Sequence, residues 1–165
     1  MTVLFSAVIQ GQPLGKERGR SFAIQRADGK MSTRVKTADK TRNWETSAAW
    51  QFKKVMGFGR SMFPLRGPIG ILAIAVSARP KNRPQGYPKE SWIKDRVWRI
   101  SKPDGDNVLK IIADTLTKAR VIHDDCEIAS WGPILCMYAA VGEGPCVEVV
   151  VTDLPPTPRG SYLVP

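Results

Sequence analysis

The alternation of apolar and polar positions along the chain predicts four strands. Thr2 to Ile9 alternates loosely, as a first strand with one buried face does. Ile69 to Ala78 is an apolar, partly β-branched run, which is typical of a central strand. Ile134 to Val141 and Cys146 to Thr152 read as two closing strands, joined through the turn residues 142–145.

Apolar residues at helical spacing predict two main helices. The first covers Thr41 to Met56 and ends at Gly57 and Gly59. Its predicted apolar face consists of Trp44, Ala48, Phe52 and Val55. The second covers Asn107 to Lys118, and its apolar stripe consists of Leu109, Ile112, Ala113 and Leu116. Its opposite face carries Asn107, Lys110, Asp114 and Lys118.

Three segments do not follow these periods. Gly11 to Arg20 is rich in glycine and basic residues and predicts a mobile basic loop. Arg79 to Ile100 combines prolines, tryptophans and cations, with a short helix expected from Lys89 to Trp98. The proline-rich residues 154–165 predict a poorly ordered tail after one domain at 1–153. We therefore expect a single small α+β domain, a mixed sheet with two main helices packed on it.

Composition limits the classes of binding partner and the cellular compartment that fit this chain. Lys and Arg number 25 against 15 Asp and Glu, so the formal net charge is +10, a balance typical of proteins that bind nucleic acid. The three cysteines Cys126, Cys136 and Cys146 form no CxxC pair, which argues against a structural zinc site and suits a reducing cytosol. We expect Cys126 to be a buried small hydrophobe. The sequence contains no apolar run long enough to span a bilayer, so we expect a cytoplasmic protein.

On this basic chain, five carboxylates gather in one short span. Asp104 and Asp106 alternate just before the second helix, Asp114 lies within it, and Asp124 and Asp125 follow it. Clustered carboxylates repel one another unless a cation lies between them, and Mg²⁺ prefers oxygen ligands. The cluster therefore predicts a metal site that acts on a polyanion.

Each acid also has a purely structural explanation. Asp106 occupies the expected N-cap position of the helix, but capping leaves Asp104 without a role. Lys110 can form a surface ion pair with Asp106 worth less than about 1 kcal/mol, and Asp114 can pair with Lys110 or Lys118. An Asp-Asp pair is ordinary in a turn.

The ordered set of Asp-x-Asp-Asn-x-x-Lys, an amphipathic helix and Asp-Asp, from Lys102 to Ile128, resembles the signature of RusA-type Holliday junction resolvases. The resemblance implies that Asp104, Asp106 and Asp125 bind the catalytic metal and that Lys110 is the catalytic lysine. Asp124 matches a further candidate metal ligand of the family, and Asp114 matches an accessory acidic position. Gly105 departs from the pattern between the first two aspartates, as do His123 and Glu127 beside the pair.

The resemblance further implies a homodimer that binds branched DNA in recombination and repair, often encoded by prophages, with Mg²⁺ as cofactor, for which Mn²⁺ can substitute. The basic loop looks like the family's N-terminal DNA-binding loop. We expect salt-sensitive DNA binding by Lys16, Arg18, Arg20, Arg79, Lys81, Arg83, Lys94 and Arg96. Trp92 and Trp98 can stack on opened bases, although core packing is the slightly favoured alternative for both.

The chemistry expected is phosphodiester hydrolysis to resolve four-way junctions by paired symmetric nicks. A metal-bound water has a lowered pKa, and a lysine stabilises charge on the phosphate. The single histidine, His123, excludes most catalytic triads and any HExxH zinc site. Two alternatives remain: a metal nuclease specific for flaps or duplex DNA, and a non-catalytic DNA-binding protein.

Overall fold

The computed structural model describes residues 1–17, 19–57 and 62–155 of the chain. The elements, in chain order, are β1 (Val3–Gln10), β2 (Arg20–Gln25), β3 (Met31–Lys36), α1 (Asp39–Met56), β4 (Ile69–Ser77), α2 (Lys89–Lys94), β5 (Val97–Trp98), α3 (Gly105–Ala119), β6 (Ile128–Tyr138) and β7 (Cys146–Asp153). A short 3₁₀ turn, Asp125–Glu127, joins α3 to β6.

Within the described residues, five strands form one mixed sheet in the order β1-β7-β4-β6-β5. The central strand β4 is parallel to β6 and antiparallel to β7, while β1 pairs with β7 and β5 with β6, both antiparallel. The prediction of one small α+β domain with a mixed sheet and two main helices is confirmed. Of the predicted tail, residues 156–165 lie outside the described residues.

The hydrophobic core lies between the sheet and the two long helices. The sheet contributes alternate side chains, as expected for strands with one covered face, among them Phe5, Ile71 and Val149. The helices contribute side chains that include Phe52 of α1 and Leu116 of α3. Phe5 and Phe52 meet edge to face with ring centroids 5.8 Å apart. No helix in the described part of the chain has the length and apolar character needed to cross a membrane.

The two closing strands differ from their prediction in extent, and they are not adjacent in the sheet. β6 begins at Ile128, six residues before the expected start, and β4 lies between β6 and β7. Gly132 and Pro133 look like a strand break in the sequence, yet a Cβ at Gly132 would lie 2.9 Å from Leu72 Cγ of the adjacent β4. The glycine permits close approach, and β5 pairs with β6 only at Met137 and Tyr138, so the proline costs no ladder hydrogen bond to β5.

The helices also differ from the predicted bounds. In α1, Val55 is half exposed and Met56 is buried instead, because the buried face follows Ala49, Phe52 and Met56 at spacings of three and four residues. The helix also begins two residues earlier than predicted. The predicted helix from Lys89 to Trp98 ends at Lys94, since Val97 and Trp98 pair with β6 as a strand. α3 begins at Gly105, and its buried face is wider than the predicted stripe: it includes Val108 and Ile111 as well.

The segment between the basic loop and α1 forms a hairpin that the hydrophobic pattern did not predict. β2 and β3 pair antiparallel from Arg20↔Lys36 to Gln25↔Met31, in a sheet of their own. The connection runs through Asp28 and Gly29, and Gly29 has a φ of +81°. Asp-Gly between short strands is a hairpin signal, so the sequence did contain the clue.

Candidate active site

Asp104 and Asp106 lie at the N-terminus of α3, and both are exposed. The N-cap position belongs to Asp104 and not to Asp106, so the capping explanation for Asp106 is wrong. Asp104 has the extended backbone of a cap residue (φ −68°, ψ 148°), but its side chain makes no capping hydrogen bond. A carboxylate at the positive end of a helix dipole that does not cap the helix is available to another ligand.

Lys110 follows Asp106 by one helical turn, and its Nζ lies 3.3 Å from Asp106 Oδ2. Both side chains are well exposed, at 63% and 65%, so this ion pair contributes little to stability. The ammonium group therefore stands beside the carboxylates at low cost to the fold, where it can contact a phosphate.

Gly105, which separates the two aspartates, brings α3 close to β6. A Cβ at this position would lie 3.1 Å from Ile134 Cγ2 and 3.8 Å from Cys136 Sγ. An added methyl group at this position would require the Ile134 side chain or the first turn of α3 to shift by a few tenths of an ångström. Gly105, which departs from the family pattern, therefore allows the helix start that carries both aspartates to pack closely against β6.

Arg99 holds the loop that leads into α3, and sequence reasoning missed it. The residue is buried, with 6% exposure, and its guanidinium donates hydrogen bonds to the carbonyl oxygens of Ser101 and Pro103. Its backbone N–H donates a hydrogen bond of 2.8 Å to Cys136 O of β6. In the sequence Arg99 is one cation among many, and only its two-residue spacing from buried Val97 distinguishes it.

In the predicted basic loop, residues 11–17 and 19 form no regular element, and Arg20 begins β2. The loop is fixed against α3 rather than free. Lys16 N–H donates to Asn107 O at 3.0 Å, and its ammonium group pairs with Asp114. Asp114 thus binds the loop instead of Lys110 or Lys118. Gly15 packs so closely that an added Cβ would lie 2.7 Å from Pro103 Cβ.

Open clefts lie between this loop and the start of α3. One, of about 360 Å³, is lined by Lys16, Glu17, Gly19, Asp106, Asn107 and Lys110. A neighbouring one, of about 390 Å³, is lined by residues that include Lys102, Pro103 and Asp104. Both candidate aspartates and the candidate lysine therefore line open clefts.

Asp124 and Asp125 follow the other end of α3. Asp124 accepts a hydrogen bond of 2.9 Å from the Cys126 N–H, and bonding to Cys126 lowers the pKa of its carboxyl group. Asp125 is exposed in the 3₁₀ turn. His123 Nδ1 lies 3.6 Å from Glu127 Oε1, which gives both flanking groups a local partner. The expectation that Cys126 is buried is wrong, because the turn carries it to the surface.

A single chain does not bring the predicted metal ligands together. The 15 residues of α3 span about 22 Å, with Asp104 and Asp106 at one end and Asp125 beyond the other. Among the described residues, the one group of three potential ligands with atoms within 4.8 Å of one another is Glu143, Cys146 and Glu148. Arg96 already pairs with both of those glutamates, so that group is an internal ion network.

The other predicted DNA-binding cations fall into two kinds. Arg79 donates to Ala139 O and Asp95 O and lies 4.6 Å from the Trp92 ring centroid, and Arg96 is bound by Glu143 and Glu148. Both guanidinium groups thus have partners within the fold. Lys81, Arg83 and Lys94 are exposed, although the Arg83 guanidinium also donates a hydrogen bond within the fold, to Tyr87 O. Arg18 and the side chain of Arg20 lie outside the described residues. DNA binding by these residues stays a prediction.

The two tryptophans have different environments. Trp92 is buried and packs against Tyr87 and Tyr138, as the core alternative predicted. Trp98 is 60% exposed, so the preference for core packing is wrong there. β5 pairs only with β6 and leaves the Trp98 side chain in solvent, one residue before the buried Arg99.

Comparison with known proteins identifies the family of this chain. The family model described as Endodeoxyribonuclease RusA matches residues 10–152 of the 165-residue chain. The match includes the basic loop, the hairpin, both long helices and all five carboxylates considered above. No individual curated protein matches the chain.

Proposed function

Since the chain belongs to the RusA endodeoxyribonuclease family, we propose that it resolves four-way DNA junctions by paired symmetric nicks in a reaction that needs a divalent metal ion. The observation that supports this most is the exposed pair Asp104 and Asp106 at the start of α3, beside Lys110 and facing an open cleft. On a chain of net charge +10, binding alone gives no reason to place carboxylates where phosphates approach.

Asp104 and Asp106 suit a hard cation such as Mg²⁺, because they offer exposed carboxylate oxygens and Asp104 has no capping role. These carboxylates would hold such an ion, which would supply a bound water of lowered pKa and neutralise phosphate charge. Lys110 would exchange its weak pairing with Asp106 for a contact to the scissile phosphate. Arg99 and Gly105 keep the helix start in place while the DNA binds.

The third proposed ligand, Asp125, requires a second chain. Since α3 separates Asp125 from Asp104 and Asp106, one copy cannot place all three carboxylates around one ion. We infer a two-fold dimer in which the start of α3 in one copy meets Asp125 of the other, which creates two equivalent sites. Two-fold symmetry in the dimer also matches the two strands that must be cut in a four-way junction.

The deciding experiment incubates the protein with Mg²⁺ and a synthetic four-way junction, labelled in turn on each strand. Paired nicks at symmetric positions are expected, with no cleavage when the metal is chelated or in the Asp104→Asn variant. The same assay with a flap and with linear duplex separates junction resolution from a nuclease of other specificity. Junction binding without cleavage at any metal concentration would leave the non-catalytic alternative and refute the proposal.

A further inference from the structure

The hairpin formed by β2 and β3 is separate from the main sheet. Its two strands pair with each other over six residues each and form no strand pairing with the five-stranded sheet. Phe22 and Met31 are 44% and 66% exposed, although both are large apolar side chains. An isolated two-stranded hairpin is marginally stable in water, so a partner surface would stabilise this one.

The charge of the hairpin indicates what kind of partner it binds. Residues 20–36 contain one acid, Asp28, and five cations: Arg20, Arg26, Lys30, Arg34 and Lys36. Arg26 and Lys30 lie at the exposed turn, where the Arg26 N–H donates to Lys30 O at 2.8 Å. The turn is stabilised by backbone hydrogen bonds and by Asp28, which accepts a hydrogen bond from the Lys30 N–H. These hydrogen bonds do not involve the side chains of Arg26 and Lys30.

The hairpin also starts beside the candidate active site. The loop that leads into it is fixed to α3 by Lys16, through Asn107 O and Asp114. At the next residue, the Glu17 N–H donates to Thr41 Oγ1 at 3.4 Å. Thr41 lies in α1, which follows the hairpin in the chain, so this hydrogen bond connects the segments before and after the hairpin. Its base is thus held at the cleft that contains Asp106 and Lys110.

We propose that this hairpin is a DNA-binding ribbon, which lies in a groove of the duplex arm next to the cleavage site. The inference rests on the proposed function, and it adds which part of the substrate the hairpin contacts. A two-stranded ribbon fits the major groove of B-form DNA, and six residues per strand extend about 20 Å along it. The ribbon therefore contacts the duplex arm, while α3 presents its acids at the crossover.

The first test measures how junction affinity depends on salt in the Arg26→Gln/Lys30→Gln variant. Each lost phosphate contact should make the plot of log K against log salt less steep by about 0.9, so two lost contacts give about 1.8. The matched control is Lys53→Gln/Lys54→Gln, which removes the same charge from the exposed C-terminal end of α1. The control should keep the wild-type slope.

The second test uses hydroxyl-radical footprinting on junctions with long arms and with arms shorter than one helical turn, about 10 bp. Wild type should protect an arm beside the cleavage site, and the Arg26→Gln/Lys30→Gln variant should lose that protection. The affinity loss of this variant should be several-fold larger on long arms than on short ones.

The outcomes separate the two proposals. If wild type neither binds nor cuts junctions, the proposed function fails. If wild type cuts junctions while the Arg26→Gln/Lys30→Gln variant keeps the wild-type slope and footprint, the ribbon proposal alone is overturned. If this variant sediments as a monomer where wild type sediments as a dimer, the hairpin contacts a second copy of the chain, which also overturns the ribbon proposal.

Discussion

The guanidinium of Arg99 donates a hydrogen bond of 2.9 Å to the carbonyl oxygen of Pro103, the residue directly before Asp104. A second hydrogen bond from the same group reaches the carbonyl of Ser101. Since Arg99 is buried and its own N–H is bonded to β6, it connects the loop before α3 to the sheet. The position of Asp104 thus depends on a buried residue that does not line the candidate site itself.

Arg99→Gln should therefore lower the single-turnover cleavage rate by roughly 10- to 100-fold, because small displacements of reacting groups have effects of that size. Junction affinity should change little, since Arg99 is not exposed. Arg99→Lys, which can still donate to one carbonyl, should recover part of the rate. A folded Arg99→Gln variant with the wild-type rate would contradict the positioning role.

Two inactive variants should restore cleavage when mixed. Asp106→Asn and Asp125→Asn homodimers should each be inactive, because every site lacks one ligand. In a mixed dimer, one site combines the changed Asp106 position of one chain with the changed Asp125 position of the other. The second site then contains only unchanged ligands. The mixture should therefore nick one strand per junction, as strand-specific labelling would show.

The control for that experiment pairs Asp104→Asn with Asp106→Asn. Both changes lie at the same end of α3, so every site in the mixed dimer still lacks a ligand. This mixture should stay inactive. An inactive mixture of Asp106→Asn and Asp125→Asn, with exchange of chains demonstrated, would refute the shared site.

Gly15→Ala should displace the basic loop from α3. Its new methyl group would lie 2.7 Å from Pro103 Cβ and 3.2 Å from Asn107 Cβ, so the loop or the helix start must shift. We expect a loss of roughly 1–3 kcal/mol in the free energy of unfolding and a slower cleavage rate. Gly144→Ala is the matched control, since nothing lies within 4 Å of its added Cβ. Equal stability of the two variants in urea denaturation would contradict the close packing at Gly15.

The ion network at β7 predicts how stability depends on pH. Hydrogen bonds from Arg96 hold the pKa of Glu143 below its ordinary value. A carboxyl group whose pKa is lower in the folded state than in the unfolded state stabilises the protein at pH values above the unfolded-state pKa. This contribution is lost as the pH falls through the folded-state pKa. Glu143→Gln should cost roughly 1–2 kcal/mol at neutral pH, because it removes charge-assisted hydrogen bonds.

The difference between wild type and Glu143→Gln should persist down to the ordinary pKa of a glutamate and shrink only below it, because the lowered pKa of Glu143 delays protonation of the wild-type carboxylate. Urea denaturation across that pH range measures it. A difference that stays constant with pH would show that the charge of Glu143 does not stabilise the fold.

Local patterns were enough to predict most of the regular elements. β1 and β4 begin within one residue of their predicted starts, because two-residue alternation and an apolar β-branched run are properties of adjacent residues. The spacing of Asp104, Asp106 and Lys110 around a helix start is equally local. The hairpin contained its own signal at Asp28-Gly29, which apolar periodicity alone does not detect.

Contacts between residues far apart in sequence decided the rest. The pairing of Lys16 with Asp114 and the hydrogen bond from the Arg99 N–H to Cys136 O of β6 depend on which surfaces the fold brings together. The placement of β4 between β6 and β7 is equally a property of the whole sheet. The sequence by itself determined the amphipathic helices, the strands and the set of acids with the chemistry they can support. Only the tertiary structure decided what surrounds those acids, because the basic loop reaches α3 and the loop before α3 reaches the sheet through contacts that span many residues of the chain.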